Sequence, residues 1–413
     1  MQPRRAVITG LGCITPFGAG VPAYAEALLH GRSGVARIAS FDPTRLPVRI
    51  AAEARGFDQS TVVAEKDAKH VPRVTALALA AATEALVDAG LAEGLSLEER
   101  RRFAVVLGTG GAAAEFMERQ YVHFFQGDLR KASVYAVPSS TPGTIASELS
   151  MRFRLHGPSQ VISTGCTSST DAIGLAMRMI RWGDADRVLV GGSDATITPA
   201  MMDGFCLMGI LSSRWNEEPS RASRPFSADR DGFVLGEGAW VAVLEAEDVA
   251  RGRVRAEVAG YGATCDAYHR VRLEESGEEP SRAMALATAD AGIAPGDVQY
   301  LNLHGTSTVL NDRIETRAVK LFLGDRARRV PMSSTKSMIG HPQGACGAAG
   351  LVATVIGMER GWIPPTINLE KPDPECDLDY VAEGARRTAV DVALVNTIGF
   401  GSKNAALVVR RRS

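Results

Sequence analysis

The sequence predicts an α/β fold in which one pattern of strands and helices occurs twice. Short apolar segments at residues 6–10 and 258–262 read as strands, and each is followed at a distance by an alanine-rich helix, at 74–89 and 281–291. Both helices stop at a glycine, as helix C-termini often do. Because the order of elements recurs, the sequence indicates an internal duplication.

Three further strand pairs keep the same order. In the first half they are 103–108, 160–163 and 187–192, and their counterparts are 300–305, 330–333 and 393–397. Continuous apolar strands alternating with helices predict parallel-type sheets covered by helices. The segments 110–158 and 197–236 exceed ordinary connections, so we expect helical or loop insertions there, where function usually lies. We divide the chain into halves at 1–255 and 256–413.

Composition excludes several classes of function. A chain of 413 residues exceeds one ordinary core, and its 45% hydrophobic and 23% charged residues are ordinary for a soluble protein. Its net charge of −1 gives no global attraction to nucleic acid or anionic membrane. Neither a membrane-spanning run nor a signal peptide is visible, so we expect a cytoplasmic protein. The 6 cysteines show no CxxC spacing, which argues against disulfides and a zinc cage.

Cys166 lies where the apolar run 160–163 gives way to a helical pattern that begins at Ser168. Free backbone N–H groups and the helix dipole favour an anion at such a turn. The position therefore predicts a lowered thiol pKa and a nucleophilic thiolate. The alternative is a small buried cysteine without a chemical role.

Three more motifs follow predicted strands. They are HGTST at 304–308, KSMIGH at 336–341 and NTIGFG at 396–401. Ligands in α/β sheets bind at the carboxyl ends of strands, where all of these motifs are placed. Each histidine alone could be structural, but two histidines, a lysine and a cysteine at equivalent strand ends favour one shared site.

This set of residues fits a particular chemistry. A cysteine with a histidine predicts acyl transfer through a thioester. Two neutral imidazoles, those of His304 and His341, can donate hydrogen bonds to a thioester carbonyl as it becomes an enolate. Backbone N–H groups of Cys166 and of the Gly-Phe-Gly turn can form a separate oxyanion hole. The combination favours carbon–carbon bond formation in a water-poor pocket.

These motifs, with SRPF at 223–226 and DGFVLGEG at 231–238, resemble the β-ketoacyl-acyl carrier protein synthases of the thiolase superfamily over nearly the full length. The resemblance implies a duplicated thiolase-like fold of five αβαβα layers with two mixed sheets, and a two-subunit assembly. It implies that Cys166 accepts an acyl chain from the phosphopantetheine arm of acyl carrier protein. His304 and His341 would stabilise the enolate formed when malonyl-carrier protein loses its carboxylate. We expect no cofactor beyond that arm and no metal.

The resemblance also implies supporting roles. Lys336 would hold the electrostatics of the site, paired with Glu315. Phe400 would be the gating aromatic, and its N–H would complete the oxyanion hole with that of Cys166. The other supporting residues are Thr306, Thr308 and Phe233.

The expected partner, acyl carrier protein, is acidic, so a basic patch at the mouth of the site would steer it. By resemblance the candidates are Lys66, Lys69 and Arg73, at the start of the first alanine-rich helix. A solvated helix end is the alternative interpretation of these charges.

Two segments bear on the branch of the family. NDRIET at 311–316 and PDPECDLDY at 372–380 look more like type II polyketide ketosynthases than fatty acid enzymes. In that branch the catalytic subunit pairs with a chain-length factor that lacks the nucleophile, so Cys166 predicts the catalytic subunit of a heterodimer. The alternative is a fatty acid synthase II-type homodimer, which 306–308 and 334–338 fit equally well.

Other classes fit the sequence less well. A cysteine hydrolase would leave Lys336 and His341 idle, and a CoA-dependent thiolase usually carries a second catalytic cysteine, which 396–404 lack. A scaffolding subunit would not need the nucleophile. Pocket walls that set chain length are expected in 110–145.

Four positions depart from the family pattern: Gly350 replaces a glutamate, Ile398 replaces a phenylalanine, Val271 replaces a threonine, and Ser402 replaces a glycine. By the resemblance, Gly350 bears on the polar network behind the site and Ile398 on the gate. Val271 bears on a contact to the malonyl group, and Ser402 on the loop at the mouth of the site.

Overall fold

One hydrogen-bonded sheet runs through both halves of the chain in this computed structural model, which describes residues 4–401 and 403–412. In chain order, the strands are β1 Ala6–Thr15, β2 Gly18–Ala19, β3 Ala36–Arg37, β4 Ile50–Ala51, β5 Phe103–Gly108, β6 Ser159–Ile162, β7 Arg187–Asp194, β8 Gly238–Ala246, β9 Ala256–Cys265, β10 Tyr300–Asn302, β11 Met332–Ser333, β12 Trp362–Ile363, β13 Arg386–Arg387, β14 Val392–Gly399 and β15 Lys403–Arg411. The helices are α1 Val21–Leu29, α2 Arg73–Asp88, α3 Leu97–Arg101, α4 Ala114–Phe125, α5 Ala136–Ser140, α6 Thr144–Phe153, α7 Ser168–Trp182, α8 Pro199–Leu207, α9 Glu278–Asp290, α10 Val309–Leu323, α11 Lys336–Ile339 and α12 Cys346–Arg360.

The strand order shows the duplication directly. In the first half the order is β6-β5-β7-β8-β1, and in the second it is β11-β10-β14-β15-β9. In each half the first three strands are parallel, and the fourth strand, β8 or β15, is antiparallel to both of its neighbours. The halves meet where β1 pairs with β9 over three residues, so the two predicted mixed sheets are hydrogen-bonded into one.

Helices on both sides of this sheet create the layers. α7 and α12 pack against each other between the halves, and their side chains join both sheets in one buried cluster. α2 and α6 cover the outer face of the first half, whereas α9 and α10 cover that of the second. The result is the predicted five-layered α/β arrangement, with α7 and α12 in the middle.

The contact between each outer helix and its strand depends on a pair of glycines. A Cβ at Gly10 or Gly12 of β1 would lie 2.1 or 2.0 Å from a backbone oxygen of α2. A Cβ at Gly260 or Gly262 of β9 would lie 2.2 or 2.3 Å from a backbone oxygen of α9. Only glycine allows this approach, and the pair is repeated in both halves.

Most predicted elements are present at shifted ends, and the structure contains further elements that were not predicted. The alanine-rich helices are α2 and α9, and the four predicted strand pairs occupy equivalent places in the two halves. The strands β8 and β15 were not predicted. The long segments contain α4 to α6 and α8, as expected of insertions. None of the helices within 4–401 and 403–412 is long and apolar enough to cross a bilayer.

Candidate active site

The strand ends of the two halves bring one cysteine and two histidines together. Cys166 lies in the 3₁₀ turn Gly165–Thr167 between β6 and α7, at the N-terminus of the central helix. His304 follows β10, and His341 follows the short helix α11. The sulfur and one nitrogen of each imidazole lie within 4.8 Å of one another. The predicted three-residue set is therefore assembled in space.

The geometry of this set is well defined. Cys166 Sγ lies 3.2 Å from His341 Nε2. The rings of His304 and His341 are 5.2 Å apart and almost perpendicular, at 87°. Phe233 packs edge-on against the His341 ring, with ring centroids 5.4 Å apart. The backbone N–H of His341 donates to the Val234 carbonyl at 2.7 Å. Packing and backbone bonding thus hold the His341 ring beside the thiol.

Glu315 of α10 lies behind the His304 turn. Its carboxylate accepts hydrogen bonds from the N–H groups of His304 and Gly305 and from the Asn396 side chain, each at 2.7 Å. Burial raises the pKa of Glu315 to about 6, while these bonds oppose the rise. The carboxylate therefore orients the loop that carries His304.

Lys336 is buried, and among the described residues it makes no direct ion pair with Glu315, whose carboxylate is hydrogen-bonded to the His304 turn. Its charge still acts on Glu315, where it opposes the rise in the carboxyl pKa. The lysine charge acts through space instead. It lowers the pKa of the Cys166 thiol and adds to the lowering of the His304 and His341 pKa values.

The protonation state follows mainly from burial. Burial raises the pKa of the Cys166 thiol to about 12, although Lys336 and the Phe400 N–H oppose this. The expected lowering by the helix N-terminus is wrong for this enclosed turn, since desolvation of the thiolate dominates. Burial also holds the pKa values of His304 and His341 well below their usual range. At neutral pH the site holds a neutral thiol beside two neutral imidazoles.

This protonation state can be tested by alkylation of Cys166 with iodoacetamide. Because only the thiolate reacts, the rate should rise about tenfold per pH unit from about pH 7 to pH 10, without a plateau. Mass spectrometry of the Cys166 peptide measures the rate, with Cys376→Ala as the control for another buried thiol. A plateau reached near neutral pH would show a thiolate–imidazolium pair instead.

Phe400, the predicted gating aromatic, and Gly399 line one side of an apolar pocket next to the Cys166 thiol. The backbone N–H of Phe400 lies close enough to the Cys166 sulfur to oppose the rise in the thiol pKa. A Cβ on the preceding Gly399 would lie 3.3 Å from the Cys166 nitrogen. The cavity has a volume of about 180 Å³. Its other lining residues are Ile210, Phe233, Val271, Arg272, Leu273, His304, Thr306, Thr308, Leu310, Asn311, His341, Gln343 and Ile398. The supporting residues Phe233, Thr306 and Thr308 thus face the site.

The predicted docking residues do not form one free patch. Lys66 and Lys69 are exposed in the segment before α2. The Arg73 guanidinium instead donates to the buried Glu237 carboxylate at 3.1 and 2.7 Å and to the Ala54 carbonyl. Arg73 is therefore held in an ion pair with Glu237, and the docking role of the three residues stays a prediction.

The departures from the family pattern have specific surroundings. Ile398 packs in a small cluster with Leu273 and Ile314, and Val271 lines the pocket. The loop that contains Val271 is also hydrogen-bonded to the turn after Phe400, because the Arg270 carbonyl accepts the Gly401 N–H at 3.0 Å. Ser402 lies outside the described residues.

Gly350 of α12 makes room for a buried amide. A Cβ at this position would lie 2.6 Å from Asn302 Oδ1 and 3.1 Å from Val395 Cγ1. Asn302 in turn donates to the Tyr300 hydroxyl, which is 2.8 Å from Ser333 Oγ. A network of neutral side chains therefore fills the space behind the site.

Gly350→Ala should lower the free energy of unfolding by about 1–3 kcal/mol, since the added methyl group overpacks the core. Gly204→Ala is the matched control, because a Cβ at this position in α8 meets nothing within 4 Å. That control should be neutral or stabilising by up to about 1 kcal/mol. Urea denaturation measures both. Equal effects of the two substitutions would contradict the close approach.

Two residues of the site were not singled out from the sequence. Cys346, at the start of α12, places its sulfur 3.2 Å from the Cys166 carbonyl oxygen and 3.9 Å from His304 Nδ1. Asp194 ends β7 and accepts N–H groups from Gly110, Gly111 and Ala345, and burial raises its pKa to about 6. Its position at a buried strand end was a usable signal, whereas nothing local marked Cys346.

A thiol and two neutral imidazoles at the meeting strand ends of a duplicated α/β fold define an acyltransferase of the thiolase-like class. A thiolate and two imidazoles could also hold a transition metal, so the metal-free site stays a prediction.

Comparison with known proteins agrees with this class. "Beta-ketoacyl synthase, N-terminal domain" matches residues 4–250, and "Beta-ketoacyl synthase, C-terminal domain" matches 255–370. The chain belongs to the beta-ketoacyl synthase family and is a ketosynthase, an acyltransferase.

Individual relatives come from two settings. The chain is 40% identical to 3-oxoacyl-[acyl-carrier-protein] synthase 2 of Coxiella burnetii (100% of this chain, 99% of the relative). It is 42% identical to a Streptomyces cyaneus protein provisionally named polyketide beta-ketoacyl synthase 1 (98% of each). It also resembles the structure of a type II PKS acyl-carrier protein in complex with its ketosynthase bound to the hexaketide, with TM-score 0.91, 33% identity and 100% of both chains covered. The ishigamide ketosynthase/chain length factor matches with TM-score 0.90, 30% identity and full coverage of both chains.

Proposed function

We propose that this chain is the catalytic ketosynthase subunit of a type II polyketide system. It would join an acyl group on Cys166 to the two-carbon unit of malonyl-acyl carrier protein. The observation that carries the proposal is the 3.2 Å contact between Cys166 Sγ and His341 Nε2, with His304 beside it in an apolar pocket.

The first half-reaction loads Cys166. The thiol attacks the carbonyl of an acyl thioester on the carrier protein while His341 Nε2 accepts its proton. The N–H groups of Cys166 and Phe400 stabilise the oxyanion of the tetrahedral intermediate. The carbon–sulfur bond to the carrier then breaks, and the carrier thiol leaves with the proton from His341.

The second half-reaction forms the carbon–carbon bond. Malonyl-carrier protein loses carbon dioxide, and the electron pair of the broken bond becomes an enolate. His304 and His341, in the tautomers that present N–H to the pocket, donate hydrogen bonds to the enolate oxygen. The enolate carbon attacks the acyl carbonyl, the bond between that carbonyl and the Cys166 sulfur breaks, and the thiolate released takes up a proton from solvent water. The β-ketoacyl product leaves on the carrier protein.

The apolar cavity supports this chemistry, since it excludes water that would protonate the enolate. The solved relatives that contain a carrier protein or a chain-length factor support those two partners here. The alternative is a fatty acid synthase II-type homodimer, which is favoured by the 40% identity to the Coxiella burnetii synthase.

Assembly and product together test the proposal. The purified chain, alone and co-expressed with a chain-length-factor subunit, is incubated with octanoyl- and malonyl-carrier protein, and carrier-bound products are analysed by mass spectrometry. The polyketide assignment predicts efficient elongation only in the heterodimer. A homodimer that adds two carbons by itself would support the fatty acid alternative. Release of free octanoate without use of malonyl groups would reject both.

A further inference from the structure

We propose that Asp171 and Tyr261 form a clamp that positions the turn carrying Cys166. The proposal rests on the proposed function, in which Cys166 is the nucleophile. Asp171 and Tyr261 do not face the pocket, so they would act through the turn and not on the substrate.

The contacts of Asp171 enclose the nucleophile. Asp171 lies in the first turn of α7, and one carboxylate oxygen accepts the hydroxyl groups of Thr164 and Thr167, the latter at 2.8 Å. These threonines stand on either side of Gly165 and Cys166 in the chain. The second carboxylate oxygen accepts the Tyr261 hydroxyl at 2.7 Å. A single carboxylate thus connects both ends of the turn to the opposite half of the fold.

Tyr261 is itself held in place. It belongs to β9, and its ring packs against α7 at Gly174, where a Cβ would lie 2.3 Å from the ring. The Arg178 guanidinium lies over the ring, 5.0 Å from its centroid. Burial, with the nearby Asp171 charge, raises the pKa of the Tyr261 hydroxyl, which therefore remains a hydrogen-bond donor.

The clamp should matter most in the transition state. The Cys166 N–H contributes to the oxyanion hole, whose donors stabilise charge only when they are aimed at the developing oxyanion. Displacing a reacting group by about 1 Å can cost about 100-fold in rate. Loosening the turn should therefore lower kcat more than it raises KM.

The test uses variants that remove single hydroxyl groups. Tyr261→Phe and Thr167→Val should each lower kcat for condensation about 10- to 100-fold, with KM for malonyl-carrier protein changed less than about threefold. Thr167→Ser keeps the hydroxyl and should recover most of the activity. The melting temperature of each variant is measured to separate positioning from unfolding.

Tyr380→Phe is the matched control. The Tyr380 hydroxyl is also buried and hydrogen-bonded, 2.6 Å from Thr316 Oγ1, but it lies in the outer core of the second half. This variant should retain wild-type kcat. If Cys166→Ala is inactive, the proposed function stands. In that case, wild-type kcat in Tyr261→Phe, or no recovery of activity in Thr167→Ser, would overturn the clamp. Condensation by Cys166→Ala itself would reject the proposed function, and the clamp with it.

Discussion

Cys166→Ala will reduce the rate of condensation at least about a thousandfold, because the enzyme then has no thiol on which to form the acyl thioester. Decarboxylation of malonyl-carrier protein should continue, since both imidazoles remain in the pocket. Product formation is followed by mass spectrometry of the carrier protein, and decarboxylation by release of carbon dioxide.

Cys376→Ala is the control for this substitution. Cys376 is also a buried thiol, and burial likewise raises its pKa to about 12, but it packs in the outer core of the second half. Its loss should leave condensation unchanged. Equal loss of activity in the two variants would show that Cys166 supports packing and not catalysis.

His304→Ala should have the opposite effect on the two half-reactions: acyl loading continues and decarboxylation is largely lost. Acyl loading of Cys166 should persist, because His341 is the imidazole in contact with the sulfur at 3.2 Å. Decarboxylation and condensation should fall about 100- to 1,000-fold, the usual cost of losing one donor to a developing oxyanion. Intact-protein mass spectrometry measures loading, and release of carbon dioxide measures decarboxylation.

His70→Ala provides the comparison for His304→Ala. His70 is half-buried and contacts Ser133 Oγ at 2.7 Å, in a different cavity. It should load and decarboxylate normally when a malonyl thioester of a small thiol replaces the carrier protein. Persistent decarboxylation in His304→Ala would assign enolate stabilisation to His341 alone.

The repeated strand pattern predicted the site because function here lies at strand ends. Residues next to buried strands, such as Cys166 and His304, could be placed at one sheet edge before any contact was known. The duplication then brought His341 opposite them. The strands β8 and β15 were not predicted, although their apolar segments at 239–244 and 405–409 are typical of buried strands.

Long-range contacts could not be predicted in the same way. Asp171 and Tyr261 are 90 residues apart in sequence, and Arg73 and Glu237 are 164 apart. Each pair depends on how the halves or loops pack, which no local pattern reports. Burial is equally invisible in sequence, so the Cys166 turn was expected to favour a thiolate although its enclosure disfavours charge.

The central claim is that an acyl group is held on Cys166 and then passed to a malonyl-derived enolate. Mass spectrometry of the intact protein and of its peptides, after incubation with octanoyl-carrier protein, tests it directly. We expect one octanoyl adduct on the Cys166 peptide, lost when malonyl-carrier protein is added and replaced by a β-ketodecanoyl group on the carrier. An adduct on another residue, or one that malonyl-carrier protein leaves in place, would contradict the account.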